Sequence, residues 1–158
     1  MNKDLKSLYE WLCANRLSLN VGKTEFMIFR PPRKTISNRI VLTLDQTKIY
    51  ESTKIKYLGL LLDPRLSWKE HINELTKQLG RSVGMLYKSR EYCPTSVLKS
   101  LYYSIFHSHA SYGIPVWEYA NEYYIKKITK IQKKAIRAIT FSKFKEKSAP
   151  LFKKITNS

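Results

Sequence analysis

The acids of this sequence are the first residues to consider for chemistry, because phosphoryl transfer by two metal ions needs carboxylates that hold the ions about 3.5 to 4 Å apart. The acids are scattered, without an adjacent Asp pair or a DxD sequence, and Asp63 stands alone after an apolar run. Asp63 precedes Pro64, and an aspartate in that setting is more typical of a turn than of a metal ligand. The residue types therefore predict no metal site within this sequence.

Histidine, cysteine and one glycine-lysine-threonine run are the other candidates for chemistry. A zinc site needs its histidine and cysteine ligands at short, regular spacings. The histidines and cysteines of this sequence do not have such spacings, and they are His71, His107, His109, Cys13 and Cys93. The two cysteines are far apart, which suits small buried apolar groups better than a disulfide. Gly22-Lys23-Thr24 resembles the end of a phosphate-binding loop, but Leu17 stands where that loop needs a glycine.

Lysine and arginine form the strongest pattern. In a predicted helix from Asn121 to about Phe141, six cations fall within roughly 120° of each other at about 100° per residue, and they are Lys126, Lys127, Lys130, Lys133, Lys134 and Arg137. A solvated helix face is one interpretation. The like charges at i, i+4 are unfavourable in isolation, so a stripe that binds a polyanion is the favoured one.

The whole chain has the same bias. Its 158 residues include 29 Lys and Arg against 12 Asp and Glu, a formal net charge of +17, which favours nucleic acid or another polyanion as partner. The apolar runs fall far short of the roughly 20 residues that span a bilayer, and the first residues are too polar for a secretory signal. We therefore expect an intracellular protein, nuclear or cytoplasmic, without a membrane partner.

The first part of the chain mixes one helix with short strands. Apolar residues at Leu5, Leu8, Leu12 and, less regularly, Trp11 predict a helix from Asp4 to Leu17. Strands are predicted at Phe26–Phe29, at Arg39–Leu44 and Lys48–Tyr50 joined by the turn Asp45–Thr47, and at Ile55–Leu62, which Pro64 ends. This part of the chain should form a small antiparallel sheet or hairpin.

The second part is predicted to be helical. Ser67 and Glu70 form a capping box, followed by one apolar face of Trp68, Ile72, Leu75, Leu79, Val83 and Leu86. Gly80 and Gly84 inside this helix favour a close helix crossing. A helix from Pro94 to His107 should bury Val97, Leu98, Leu101, Ile105 and Phe106, Ser111–Trp117 should be a connector, and the third helix should bury Ile125, Ile128, Ile131, Ala135, Ile136 and Ile139.

This order of elements predicts an α+β fold with a helical C-terminal lobe. We expect one part from residue 1 to 66 with the sheet and hairpin, a helical lobe from 67 to 141, and a flexible basic tail from 142 to 158.

Three stretches together resemble the downstream part of the reverse transcriptase, an RNA-directed DNA polymerase, of jockey-like and related non-LTR retrotransposons. They are WLCANRLSLNVGKTEFMIF, IKYLGLLLDPRLSWKEHI and LYYSIFHSHASYGIPVW. The resemblance covers roughly Leu5 to Ile139. It implies that Lys23, in a motif with Asn20 and Thr24, helps to protonate the departing pyrophosphate. It also implies that Tyr57, Leu58 and Gly59 form the primer grip, a hairpin between palm and thumb, and that the helices after Ser67 form the thumb.

The catalytic carboxylates of that family have no counterpart in this sequence. The resemblance therefore implies a fragment of palm end and thumb, inactive alone and without cofactor, since Mg²⁺ would need upstream Asp residues. Its partners would be an RNA template, an RNA-DNA hybrid or primed duplex, and an upstream polymerase portion. Two alternatives remain: a non-enzymatic basic RNA- or DNA-binding module, and an interaction protein whose cations meet an acidic protein or anionic lipid.

Overall fold

A computed structural model describes residues 2–31, 33–34, 40–44, 47–143 and 146–156 of the chain, without the side chains at 154 and 156. The chain divides into two compact units, Met1–Leu66 and Ser67–Ser158. Each unit has its own core, and each is described by itself.

The first unit begins with helix α1, Asn2–Ala14. Its Leu5 and Tyr9 pack against a core of Leu42, Leu44 and Ile49. Leu8 and Trp11, which are among the apolar residues that predict this helix, are about half exposed. Leu5 and Tyr9 are four residues apart and so lie on one face of the helix, with Leu8 at the edge of that face and Trp11 turned away from it.

Short strands complete this unit. β1 (Glu25–Phe26) follows a 3₁₀ turn at Val21–Lys23, and β2 (Leu42–Leu44) and β3 (Thr47–Glu51) come next. Within the described residues β3 lies in the middle of a three-stranded sheet, antiparallel to β2, with Leu42 opposite Ile49, and parallel to β1, with Phe26 opposite Glu51. The sheet is therefore mixed, where only antiparallel pairing was expected. Asp45, Gln46 and Arg39 of the predicted hairpin lie outside the described residues.

The single strand predicted at Ile55–Leu62 is instead a hairpin. β4 (Ile55–Tyr57) pairs antiparallel with β5 (Leu60–Leu62), and Tyr57 stands opposite Leu60. Leu58 and Gly59 both have positive φ, 46° and 83°. Two consecutive residues in that region form the tight turn that joins two antiparallel strands, so the chain reverses where the apolar pattern alone indicated continuation.

The second unit is organised around helices α2, Lys69–Ser89, and α6, Glu122–Ile139. The predicted apolar face of α2 is confirmed, since all six of its residues, including Trp68, are buried. The helix begins two residues after Ser67, whose hydroxyl accepts a hydrogen bond from Lys69 N at 3.5 Å. On α6, Ile128, Ala135, Ile136 and Ile139 are buried and Ile125 and Ile131 half-buried, so this face is confirmed too.

The close helix crossing expected at Gly80 and Gly84 is not found. A Cβ atom added at either glycine would meet nothing within 4 Å, and both residues are exposed. They lie on the side of α2 away from its buried face, so packing does not explain them.

Between α2 and α6 the chain runs through α3 (Thr95–Leu101), a π-helical segment (Tyr102–His107), α4 (Ser108–Ser111) and α5 (Ile114–Trp117). Val97 was expected to face inward but is exposed, and Tyr102 is buried. The buried line is Leu98, Tyr102 and Phe106, each four residues after the last, which leaves Val97 about 100° to one side.

The C-terminal residues contain a helix, α7 (Ser148–Thr156), where a flexible tail was expected. Leu151 and Ile155 are buried. They are four residues apart and so give the helix one apolar stripe, and α7 packs against α6. None of the helices in the described ranges is long and apolar enough to cross a membrane.

Candidate nucleic-acid interface

Asn20, Lys23 and Thr24 meet in one short turn. The Asn20 side chain accepts a hydrogen bond from Lys23 N at 3.2 Å, and the Thr24 hydroxyl donates to Asn20 O at 2.9 Å. Asn20 thereby caps the 3₁₀ turn at Val21–Lys23, because its oxygen satisfies an amide at the helix start. The Lys23 side chain extends from this turn into solvent, and β1 begins two residues later.

Tyr57, Leu58 and Gly59 form the tip of the hairpin of β4 and β5. The Tyr57 side chain is 62% exposed and the Leu58 side chain 71% exposed. Left-handed backbone is natural for Gly59 and unfavourable for a leucine, by roughly 1 to 2 kcal/mol. Residues held in such sparsely populated backbone regions cluster at active sites and ligand-contacting sites.

The segment after the hairpin is also irregular. Asp63 Oδ1 accepts a hydrogen bond from Arg65 N at 3.0 Å, and Asp63 O accepts one from Leu66 N at 2.9 Å. These bonds identify Asp63 as a turn residue, as the sequence predicted. Leu66 and Trp68 again have positive φ, 49° and 60°. Unfavourable backbone therefore recurs from the hairpin tip to the start of α2.

The basic stripe of α6 separates into two groups. Lys126 pairs with Glu122 at 2.9 Å, and Lys127 Nζ lies 4.7 Å from the centre of the Tyr123 ring and 3.4 Å from Asn73 Oδ1. Arg137 donates to Glu146 O from Nε at 3.3 Å and from Nη2 at 3.0 Å. These three cations already have intramolecular partners, and Arg137 ties α6 to the segment that precedes α7.

The other three cations are Lys130, Lys133 and Lys134. In the part of the chain that the structure describes, none of their ammonium groups forms an ion pair or a hydrogen bond. Lys130 and Lys134 are exposed and Lys133 is half-buried. This group is therefore the part of the stripe that is available to an external anion.

Two titratable groups are buried in the second unit. His71 lies between the rings of Trp68 and Trp117, at centroid distances of 6.2 and 6.3 Å. Burial lowers the pKa of His71, since a low-dielectric site disfavours the charged form. Burial also raises the pKa of Tyr102, whose ring stacks on Phe106. Tyr102 therefore offers no surface for a base, whereas the Tyr57, Tyr103 and Tyr123 rings are exposed.

A cavity of about 230 Å³ lies between α4, α5 and α6. Its walls include Trp117, Ile114, Ile125 and Ile128, and its polar groups include His107, Glu118, Thr129 and Gln132. Sequence analysis missed this cavity because it treated Ser111–Trp117 as a connector. Trp117 itself was the available sign, since a ring of this size is normally buried against other elements. Within the described ranges, no group of three or more His, Cys, Asp or Glu residues could hold a metal ion.

The chain is similar in sequence to part of a transposon polymerase. Over 134 residues the chain is 28% identical to the probable RNA-directed DNA polymerase from transposon X-element of Drosophila melanogaster. The match covers 83% of this chain but only 14% of that polymerase. No family model matches the chain, and no solved structure matches it. The chain is a partial homologue of a transposon RNA-directed DNA polymerase, which confirms the resemblance drawn from the three sequence stretches.

Proposed function

We propose that this chain is the palm end and thumb of a transposon RNA-directed DNA polymerase, and that it holds a primer annealed to an RNA template. The homology to such a polymerase supports the class of substrate. The observation that carries the proposal is the exposed, strained Leu58 at the tip of the hairpin, where the resemblance assigns the primer grip. A leucine held in unfavourable backbone and left exposed has no role in the core of the first unit.

Phosphate binding is the task we assign to Lys130, Lys133 and Lys134. Three unpaired cations within two turns of α6 suit neighbouring phosphates of one strand, and their binding releases counterions. The first unit contributes Lys23, which we propose as a general acid for the departing pyrophosphate. The turn at Asn20–Thr24 supports this role, because it fixes the backbone from which an exposed lysine extends.

Polymerisation by the 158 residues alone is not expected. Two-metal nucleotide transfer needs carboxylates that converge on both ions. The aspartates of this sequence are Asp4, Asp45 and Asp63, and Asp63 is engaged in a turn. Carboxylates from another part of a larger polymerase would therefore have to complete the catalytic site beside Lys23.

The test of this function compares three ligands in salt-titrated binding: an RNA template with a recessed DNA primer, the same RNA unprimed, and a blunt hybrid. We expect preference for the primed template, and loss of that preference in Leu58→Asn. Asparagine suits the left-handed turn better than leucine, so unfolding cannot explain the loss. Leu66→Asn is the matched control, because Leu66 also has positive φ and is exposed outside the hairpin.

A second pair of variants tests the cations. Replacing Lys130, Lys133 and Lys134 by Gln should lower the salt slope of log K by about 2 to 3, at about 0.9 per phosphate contact on duplex DNA. A control triple, Lys3, Lys88 and Lys99 to Gln, removes the same charge from three different helices and should change the slope much less.

The outcomes separate the candidate functions. Equal binding to all three ligands, unaffected by Leu58→Asn, would contradict the primer grip and favour a non-enzymatic basic RNA- or DNA-binding module. Binding only to anionic vesicles would contradict both.

A further inference from the structure

Much of the wall of the cavity between α4, α5 and α6 is apolar. The Trp117 indole is buried, and its Nε1 donates to Tyr112 O at 2.9 Å, which fixes the orientation of the ring. Ile114, Ile125 and Ile128 line the same cavity. A rigid aromatic wall with aliphatic neighbours suits a planar, apolar-faced ligand.

The helix that borders the cavity has an unusual backbone. The chain is π-helical from Tyr102 to His107, and His107 lines the cavity. π-helical segments inside α-helices occur frequently at functional sites. The cavity and the π-helical segment are independent observations that coincide in one place.

Several polar groups around the cavity offer acceptors to a ligand. The hydroxyls of Ser111 and Thr129 donate to His107 O and Ile125 O, at 2.7 and 3.2 Å, and so retain only lone pairs for a ligand. Gln132 Nε2 donates to Tyr102 OH at 3.3 Å, which leaves its Oε1 and one N–H for a ligand. The Glu118 carboxylate has no ion pair or side-chain hydrogen bond among the described residues. In its ionised form it can accept hydrogen bonds but cannot donate them. A ligand that donates a hydrogen bond suits these acceptors, and the unpaired Glu118 carboxylate above all.

The size of the cavity limits the ligand to a small ring system. A volume of about 230 Å³ lies below the roughly 300 to 1,000 Å³ typical of pockets for drug-sized ligands. The cavity also borders the cationic face of α6. Lys133, whose ammonium group has no partner among the described residues, is four residues after Thr129 and so neighbours it on the helix surface. A ring held in the cavity would place an attached phosphate within reach of this lysine.

We propose that this cavity binds one unpaired RNA base that carries an exocyclic amino group, with the amino group donating to Glu118 and the ring against Trp117. Sequence-specific proteins read unpaired bases in this way, by stacking and by hydrogen bonds to the base edge, and acidic side chains accept from the amino group of cytosine. This inference rests on the nucleic-acid binding proposed above, and it adds a preference for single-stranded template and for particular bases.

The test uses the full chain with nine-nucleotide oligo(C) and oligo(U) RNA, two pyrimidine strands of which only oligo(C) carries this amino group. At fixed salt we expect oligo(C) to bind about tenfold more tightly, as for one well-formed base contact. Glu118→Gln should bring the ratio close to one, because an amide can also donate to the uracil carbonyl. Glu91→Gln, the same charge change at an exposed residue outside the cavity, should leave the ratio unchanged.

Thr129→Trp gives a second test, because it fills the cavity from an exposed position on α6. It should lower oligo(C) affinity to that of oligo(U) and leave binding of the primed template unchanged. Equal oligo(C) and oligo(U) binding by the unmodified chain, with primed-template binding intact, would overturn this inference and leave the proposed function standing. Absence of binding to every nucleic acid would overturn both.

Discussion

At the scale of single residues, the hairpin tip has one residue that suits its left-handed backbone and one that does not. Gly59 tolerates its φ of 83°, whereas Leu58 at 46° does not suit the turn. We expect Leu58→Asn to increase the stability of the hairpin by about 1 kcal/mol, the cost of a left-handed leucine. Gly59→Ala should reduce it by a similar amount, because alanine at positive φ is strained.

Hydrogen exchange of the amides in β4 and β5 measures both changes. Opposite signs for the two variants would agree with a turn that is strained at one residue only. A Leu58→Asn variant whose hairpin opens more readily would show that the leucine stabilises the free protein, and its assignment to ligand binding would lose its main support.

His71 makes the second unit sensitive to acid. Its pKa is lowered by burial, so between that value and the unfolded value of about 6.5 the unfolded chain binds a proton that the folded unit does not. Above about pH 6.5 His71 does not reduce the free energy of unfolding. As the pH decreases from there toward the lowered pKa, the free energy of unfolding falls by at most about 1.4 kcal/mol per pH unit.

Urea unfolding, followed by circular dichroism from pH 7.5 to 4.5, should give a steeper loss for the unmodified chain than for His71→Phe, which keeps a ring between Trp68 and Trp117. Because other groups titrate equally in both proteins, the difference between the two curves isolates His71. Parallel curves would mean that His71 titrates alike in the folded and the unfolded chain, and would contradict a pKa lowered by burial.

At the scale of helices and strands, α2 has two glycines whose replacement should stabilise the second unit. Gly80 and Gly84 lie in the interior of the helix with open space around them, and each costs about 1 kcal/mol relative to alanine. The double replacement by alanine should therefore raise the free energy of unfolding of the second unit by about 2 kcal/mol. Urea unfolding of both single variants and the double variant measures this gain, and destabilisation by either single change would reveal a close neighbour on that face.

Some helices and strands could be predicted from the spacing of apolar residues alone, and others could not. The buried faces of α2 and α6 follow from apolar residues at spacings of three and four, because these helices pack on one side only. Periodicity failed at Ile55–Leu62, where the turn depends on the backbone of Leu58 and Gly59 rather than on hydropathy. It also missed the π-helical segment, since a change in hydrogen-bond register leaves no mark in residue types, and it misplaced Val97.

At the scale of the whole molecule, composition indicated the class of partner but not which residues would bind it. The net charge of +17 predicts a polyanion, yet only contacts distinguish Lys130, Lys133 and Lys134 from Lys126, Lys127 and Arg137, which already have partners. The parallel pairing of β1 with β3 depends on contacts distant in sequence, which local patterns do not encode. The α+β layout was predictable from the order of the elements.

The central claim is that the hairpin tip receives a primer end, and cross-linking tests it most directly. A photoreactive group on the 3′-terminal nucleotide of a primer, annealed to an RNA template, would be activated in complex with the full chain, and the adduct mapped by mass spectrometry. We predict adducts within Tyr57–Gly59, reduced when the same group is placed at the 5′ end. Adducts confined to the lysines of α6, or equal for both ends of the primer, would contradict the claim.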